Sequence, residues 1–357
     1  MVGPSRWKET TPMPLELSVE KSRAPSGELI VRVGHDVLDD YLTFLAGRAR
    51  PNSVLAAAFD LKVFFTWVQK EPAAVTSRDV VNFIAAQRAP RTQAKVVRIS
   101  DGGSGLSART VARRVSSISG LFAYLVVRGD AGVDASPVPR GLINRRARRN
   151  GGRATPLIRR PVLLPRILEP AEVDRLIAAL RTRRDRAMVE AMVLGGLRRC
   201  EVLGLRMGDL RAGERKVFVA DGKGGRQRIV PVSPRFFATM AAYLDEERPA
   251  GAANDFVFVV LKGKRRGEPL SAYGLDEILE LARERAGLEH GSCHELRHTC
   301  FTRLREAGMA LEAVQAQAGH ASVETTRLYL HLADDWLAGE YRRASEAIDA
   351  QALAVLS

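Results

Sequence analysis

Residues 293–298 read CHELRH, and deciding what Cys293, His294, Arg297 and His298 face settles how the rest of the chain is read. In a helix, residues three and four apart share a face, so these side chains converge on one object: a metal, a phosphate or nothing at all. The order His-Glu-Leu-Arg-His superficially matches HExxH, in which two histidines on one helix bind zinc and the glutamate serves as base. Arg297, directly before the second histidine, would set a fixed cation beside that metal, a poor arrangement unless a carboxylate intervenes. A zinc hydrolase with His320 and His331 as distant ligands is the lesser alternative. A phosphate uses the same residues better, because an arginine fork binds phosphate oxygens in bidentate fashion and a neighbouring histidine moves protons at neutral pH.

A phosphate site needs further groups, and the flanking sequence offers them. Arg198 lies in GGLRRCEVLGL, where Glu201 stands three residues on and can orient it from the same helical face. Lys223 sits in DGKGGR, where Gly222, Gly224 and Gly225 let backbone approach a ligand closely. Tyr329, in TTRLYLH, is the candidate nucleophile. A tyrosine hydroxyl has a pKa of about 10, so on the order of one in a thousand is ionised at pH 7, and it needs cations and a base around it. Taken singly, Tyr329 fits a half-buried aromatic, His320 a capping or core histidine, Lys223 a solvated turn and Arg198 a surface ion pair with Glu201. Six such residues in one order, each within its own motif, are a different matter.

Composition is consistent with a polyanionic partner. The chain has 357 residues, enough for two domains of ordinary size, and 55 Lys plus Arg against 41 Asp plus Glu give a formal charge of +14. No apolar run approaches the length that spans a bilayer, and the N-terminal MVGPSRWKETTPMPLELS lacks a secretory pattern, so a cytoplasmic protein with no membrane partner is expected. Cys200, Cys293 and Cys300 form no CxxC pair and read as small packing residues.

Punctuation and charge divide the chain into an arm over residues 1–30, a helical domain over 31–133, a linker over 134–168 and a second domain over 169–357. Apolar spacing of three and four predicts two helices between Asp36 and Trp67, with a cap near Pro51, Asn52 and Ser53; a third over Ser77–Ala86, capped by Ser77; and a fourth from Ser107 towards Val127. On the fourth, Arg109, Arg113 and Arg114 line one side, which suits DNA backbone. Between Asp134 and Glu169 there are nine arginines, Arg145 and Arg146 among them, and no acid, so this linker can cross a phosphate backbone. PAEVDRLIAAL and RDRAMVEAMVLGGLRRCEVLGL are helical by period. KVFVADGKGGRQRIVPV reads as a hairpin, with Arg226 and Arg228 as further DNA-binding candidates. HELRHTCFTRLREAG and residues 334–356 return to helix.

GLRRCEVLGL, DGKGGRQRIVPV, HELRHTCFTRLREAG and QAGHASVETTRLYLH, in that order, resemble the tyrosine recombinase (phage integrase) family of Xer and integrase-like proteins. The likeness is strong over about the last half of the chain, and the four-helix region resembles the family's core-binding domain more weakly. It implies a mainly α fold with a small β-sheet: a helical N-terminal core-binding (SAM-like) domain plus a mixed α/β catalytic domain. Carried over by position, it implies that Arg198 and Arg297 hold the scissile phosphate, His294 assists proton transfer, Lys223 protonates the departing 5′ oxygen and His320 donates to a phosphate oxygen. Tyr329 would form a 3′-phosphotyrosine bond, with Glu201 behind the arginines and His298 structural. No cofactor, metal or ATP is implied. The partners implied are double-stranded DNA with inverted-repeat core sites, three further copies in a synaptic homo-tetramer to which the final helix docks, and accessory DNA-bending or partner recombinase proteins. Arg199 and Cys200 depart from the small or apolar residues commoner there, which bears on local packing.

Overall fold

Apolar spacing of three and four becomes four helices in the first part of the chain: α1 (Asp36–Ala46), α2 (Pro51–Val68), α3 (Ser77–Arg88) and α4 (Ala108–Arg128). Leu38 and Leu42 of α1, Leu61, Phe64 and Phe65 of α2, Phe83 of α3, and Ile118, Leu121 and Phe122 of α4 share one core. Each such side chain, fully buried, contributes about 1.5–3 kcal/mol. This computed structural model describes residues 15–25, 27–90, 105–139, 157–158, 166–220 and 227–319, and the chain divides into two units, residues 1–162 and 163–357.

Local chemistry sets the helix ends, in two places differently from expectation. Pro51 is itself the first helical residue of α2, where its missing N–H costs nothing, so the cap is Arg50 backbone rather than Asn52 or Ser53. Thr76, not Ser77, caps α3: its hydroxyl accepts from the Asp79 N–H while the Asp79 carboxylate accepts from the Thr76 N–H, a reciprocal pair. Ser107 caps α4 as its sequence suggests.

Part of the expected arm is built into this unit. Strands β1 (Glu20–Arg23) and β2 (Leu29–Arg32) pair antiparallel from Glu20 opposite Arg32 to Arg23 opposite Leu29. Leu17, Val31 and Val33 are buried in the helical core, so apolar burial ties down the described part of residues 15–30, where a loose arm was expected. Residues 1–14 of that arm lie outside the described residues. At the other end of the unit, Val133 and Val138 also join the core.

The second unit is mixed. Helices α5 (Pro170–Ala178), α6 (Arg183–Val193), α7 (Arg199–Gly204), α8 (Pro234–Glu246), α9 (Ala272–Arg285), α10 (Cys293–Glu306) and α11 (Leu311–Ala318) accompany a three-stranded antiparallel sheet of β3 (Leu210–Arg211), β4 (Lys216–Val219) and β5 (Arg228–Pro231). Register runs from Lys216 opposite Pro231 to Val219 opposite Arg228. Helix α6 is the spine: it is buried along nearly its whole length and packs on α8 and α10. Met188, Met192, Leu197, Val217, Val230, Phe236 and Leu296 fill the core with Tyr243, whose hydroxyl donates to the Val257 carbonyl at 2.9 Å. Leu168, the last residue of the expected linker, belongs to this core.

The fold is thus mainly α with two small sheets, a helical unit followed by a mixed one. Among the described residues no helix is long and apolar enough to cross a membrane. The predicted helix over 334–356 and the turn of the β4–β5 hairpin lie outside the described residues.

Candidate functional site

One glycine decides where Arg198 stands. The period of 184–205 predicts one continuous helix, but α6 ends at Val193 and Gly196 takes a φ of +67°, a left-handed conformation natural to glycine. A Cβ at Gly196 would run into the Phe301 ring. The chain therefore turns, and Arg198 becomes the extended residue that caps α7, with Glu201 in the first helical turn. The pair meets across a helix start rather than along a helix face.

Glu201 is the hub. Its side chain is fully buried and accepts from the Arg198 backbone N–H at 2.9 Å and Arg198 Nη1 at 2.6 Å. Arg228, the first residue of β5, donates Nη1 to Oε1 at 2.9 Å and Nη2 to Oε2 at 2.8 Å. Arg297, on α10, has Nη1 3.9 Å from Oε2. Burial alone would raise the Glu201 pKa; the Arg228 hydrogen bonds, the Arg198 N–H and the charges of both arginines outweigh it and hold the carboxyl at about 2. Three guanidinium groups around one carboxylate leave positive charge in excess, as a phosphodiester requires.

Helix α11 closes the arrangement. Arg198 Nη2 and Arg297 Nη2 both donate to the Ala318 carbonyl, at 3.2 and 2.6 Å, and Arg297 Nη1 donates to the Gly196 carbonyl. Arg228 Nε donates to the neighbouring Gln317 carbonyl at 3.1 Å. Cations gather where the last carbonyls of a helix carry partial negative charge. Arg297, 4% exposed, also lies over the Phe301 ring, 4.7 Å from its centroid.

On α10, Ser292 and Glu295 form a reciprocal cap that starts the helix at Cys293. Exposed His294 and half-buried His298 meet at their Nε2 atoms, 2.9 Å apart, so one donates and the other accepts. Burial, then the His294 and Arg297 charges, lower the His298 pKa to about 4 against a raising effect of Glu295, so His298 is neutral at pH 7. Cys293 has its Sγ 3.8 Å from Asp276 Oδ1, and burial above all pushes its thiol up to about 12, which suits a packing residue. Cys300 is buried in the same way, whereas Cys200 is exposed. Among the described residues no three His, Cys, Asp or Glu side chains group as a metal site.

Arg198, Glu201, Arg297 and His294 are thus described, while Lys223, His320 and Tyr329 lie outside the described residues, as do Arg145, Arg146 and Arg226. In the helical unit, Arg109 is exposed on α4, Arg113 reaches buried Asp60 at 2.5 Å, and Arg114 bonds the Gln87 side chain. Arg228, expected on DNA, has its guanidinium on Glu201 instead, with its side chain only 11% exposed. One signal for this was present: in a strand of period two, Arg228 shares the face of buried Val230. Gln317 and Ala318, which bring backbone to the arginines, open the stretch QAGHASVETTRLYLH that carries part of the resemblance, but nothing in their residue types marks this role.

Residues 166–335 match the model of the phage integrase family, and residues 38–129 match that of the phage integrase N-terminal SAM-like domain. The chain is 30% identical over 315 residues to tyrosine recombinase XerD of Listeria innocua, covering 84% of this chain and 94% of that protein. Among solved structures, the integrase of transposon Tn1549 in complex with transposon right end DNA is similar with a TM-score of 0.63, 18% identity and coverage of 87% of this chain and 99% of that one. XerH site-specific recombinase, bound to palindromic difH substrate in a post-cleavage complex, is similar with a TM-score of 0.60, 20% identity and coverage of 87% and 89%.

Proposed function

Because the chain belongs to the phage integrase family of tyrosine recombinases, which cleave and rejoin DNA, we propose that it is a site-specific recombinase working through a 3′-phosphotyrosine intermediate. The observation that carries this reading is the convergence of Arg198 and Arg297 on one point, the Ala318 carbonyl, with Glu201 behind both. Two guanidinium groups so aimed suit the non-bridging oxygens of one phosphodiester, and charge that grows on those oxygens in the transition state is stabilised in place.

In this reading Tyr329 Oη attacks the phosphorus, the bond to the 5′ oxygen breaks, and Lys223 gives that oxygen its proton. His294 assists by taking up the proton that Tyr329 Oη loses, and His320 donates to a phosphate oxygen. The phosphotyrosine bond conserves the energy of the broken one, so reversal by a 5′ hydroxyl rejoins a strand without ATP. The arginines of α4, Arg109, Arg113 and Arg114, with Arg145, Arg146 and Arg226, serve the backbone of a duplex carrying inverted-repeat core sites, in a cytoplasmic homo-tetramer.

The biological setting we assign is integration, excision or transposition of a mobile element. The likeness to XerD over nearly that protein's full length favours a second setting, resolution of chromosome or plasmid dimers by the same chemistry. Mapping the DNA 3′ ends that carry covalent protein in cells separates the two: ends at the borders of an element support the first, and ends at one fixed chromosomal site support the second.

The chemistry itself is tested with a duplex selected from a random pool by binding to the full chain, then nicked so that cleavage is trapped. Wild type in EDTA is expected to give a covalent complex on a denaturing gel and Tyr329→Phe none. Tight binding with no covalent complex from wild type would favour a DNA-binding accessory protein of the same fold.

A further inference from the structure

Arg228 is the guanidinium that grips Glu201 end-on, through both carboxylate oxygens. Its two terminal nitrogens are spent on the two oxygens of Glu201, at 2.9 and 2.8 Å, and its Nε on the Gln317 carbonyl at 3.1 Å. The neighbouring backbone accommodates this placement. Gly319 has a φ of +60°, and a Cβ there would stand 3.0 Å from Arg228 Cδ, so the side chain lies against a position where a methyl group would press on it.

Its effect falls on the other two arginines. The Glu201 carboxylate takes hydrogen bonds from Arg198 on one side and Arg228 on the other, and Arg297 approaches to 3.9 Å without closing. Without Arg228, half of the carboxylate's acceptor capacity would turn to Arg198 and Arg297, and the anion would compete with phosphate for both. Resting on the recombinase reading, we propose that Arg228 is a positioning residue for strand cleavage: it occupies Glu201 so that Arg198 and Arg297 remain presented to the scissile phosphate. A lysine cannot replace it, because one ammonium does not bridge two carboxylate oxygens and a carbonyl at once.

The test compares full-length wild type, Arg228→Lys and Arg228→Gln in three measurements. The Glu201 carboxyl is titrated by carbon NMR, with Arg198, Arg228 and Arg297 the charged groups that face it. Binding to intact duplex is followed against salt. Single-turnover cleavage is timed on nicked duplex with a phosphodiester or an uncharged methylphosphonate at the scissile position. We expect the Glu201 midpoint to rise by about one unit or more in Arg228→Gln. Binding should stay within about twofold and phosphodiester cleavage fall on the order of thirtyfold. Methylphosphonate cleavage should fall far less, because an uncharged centre asks less of Arg198 and Arg297. Arg228→Lys should recover only part of the rate.

Three results would overturn the proposal: an unmoved Glu201 titration, an equal loss on both substrates, or weaker binding with a salt slope reduced by about one, the mark of a direct phosphate contact. Should wild type itself form no covalent complex while the Glu201 midpoint still moves, the recombinase reading falls and the hold of Arg228 on Glu201 stands.

Discussion

The Arg113 guanidinium lies 2.5 Å from the Asp60 carboxylate, joining a half-exposed cation on α4 to an anion that is 1% exposed inside the helical unit. Ser117 donates to the same carboxylate at 2.8 Å, and Arg114 stands 3.7 Å away. Burial still dominates and raises the Asp60 pKa above its ordinary 3.8, against the lowering effects of Ser117, Arg113 and Arg114. The folded state therefore binds this proton more tightly than the unfolded chain, and the contribution of Asp60 to stability falls as pH rises from 3.8 through the raised value. Asp60→Ala should cost about 2–4 kcal/mol by stranding the Arg113 and Ser117 donors, and Asp60→Asn about 1 kcal/mol. Urea unfolding of the two variants checks this, and equal losses would contradict it.

The histidine pair on α10 predicts a separate pH dependence. The His298 value of about 4 lies below its ordinary 6.5, so between those values the unfolded chain takes up a proton that the folded one refuses. Stability should be flat above pH 6.5 for this group and decline as pH falls from 6.5 towards 4. His298→Gln should flatten that slope. Unfolding midpoints of wild type and variant, measured side by side across this range, isolate the histidine from the carboxylates that protonate in the same acid window. Parallel slopes would refute the assignment.

What the sequence made legible, and what it hid, follows the range of the interactions. Periodicity found α1 to α4 because each buries a continuous apolar stripe, and Arg198, Glu201 and Arg297, singled out by their motifs, meet around one carboxylate. The reciprocal cap of Thr76 and Asp79 was also readable, three residues apart, yet neighbouring Ser77 competes for the role. Missed features depend on distant partners. Asp60 in AAAFDLKV gives no local hint of Ser117, 57 residues on, and Arg228 and Gln317 meet across 89 residues. The β1–β2 hairpin was missed because β1 is exposed at all four positions, while its hold on the core comes from Leu17, Val31 and Val33.

Two glycines of the second unit should respond oppositely to alanine. At Gly196 the added Cβ would meet both a φ of +67° and the Phe301 ring, and the displaced Gly196 carbonyl accepts from Arg297. Gly196→Ala should cost about 2–4 kcal/mol and depress cleavage further than stability alone explains. Gly204 ends α7 with nothing within 4 Å of an added Cβ. Gly204→Ala should be neutral or gain about 0.5 kcal/mol by restricting the unfolded chain. Denaturation midpoints decide, and matching shifts for the two variants would contradict the geometry.

Gln317 couples the packing of α11 to the arginines without itself facing a phosphate. Its Nε2 donates to the carbonyls of Gly195 and Pro231, at 3.1 and 2.9 Å, and its own backbone oxygen accepts from Arg228. Gln317→Ala would strand two carbonyls at a cost of about 2–3 kcal/mol, and α11 would lose its side-chain tie to β5. Gln317→Glu should be worse, because a carboxylate in that place has no donor for either carbonyl and repels both. Since Ala318, the next residue, holds Arg198 and Arg297, both variants should slow single-turnover cleavage while DNA affinity changes little. Measuring both quantities on the two variants, with stability alongside, separates the steps. If Gln317→Glu proved the milder change, the side-chain amide would not be the donor this geometry requires.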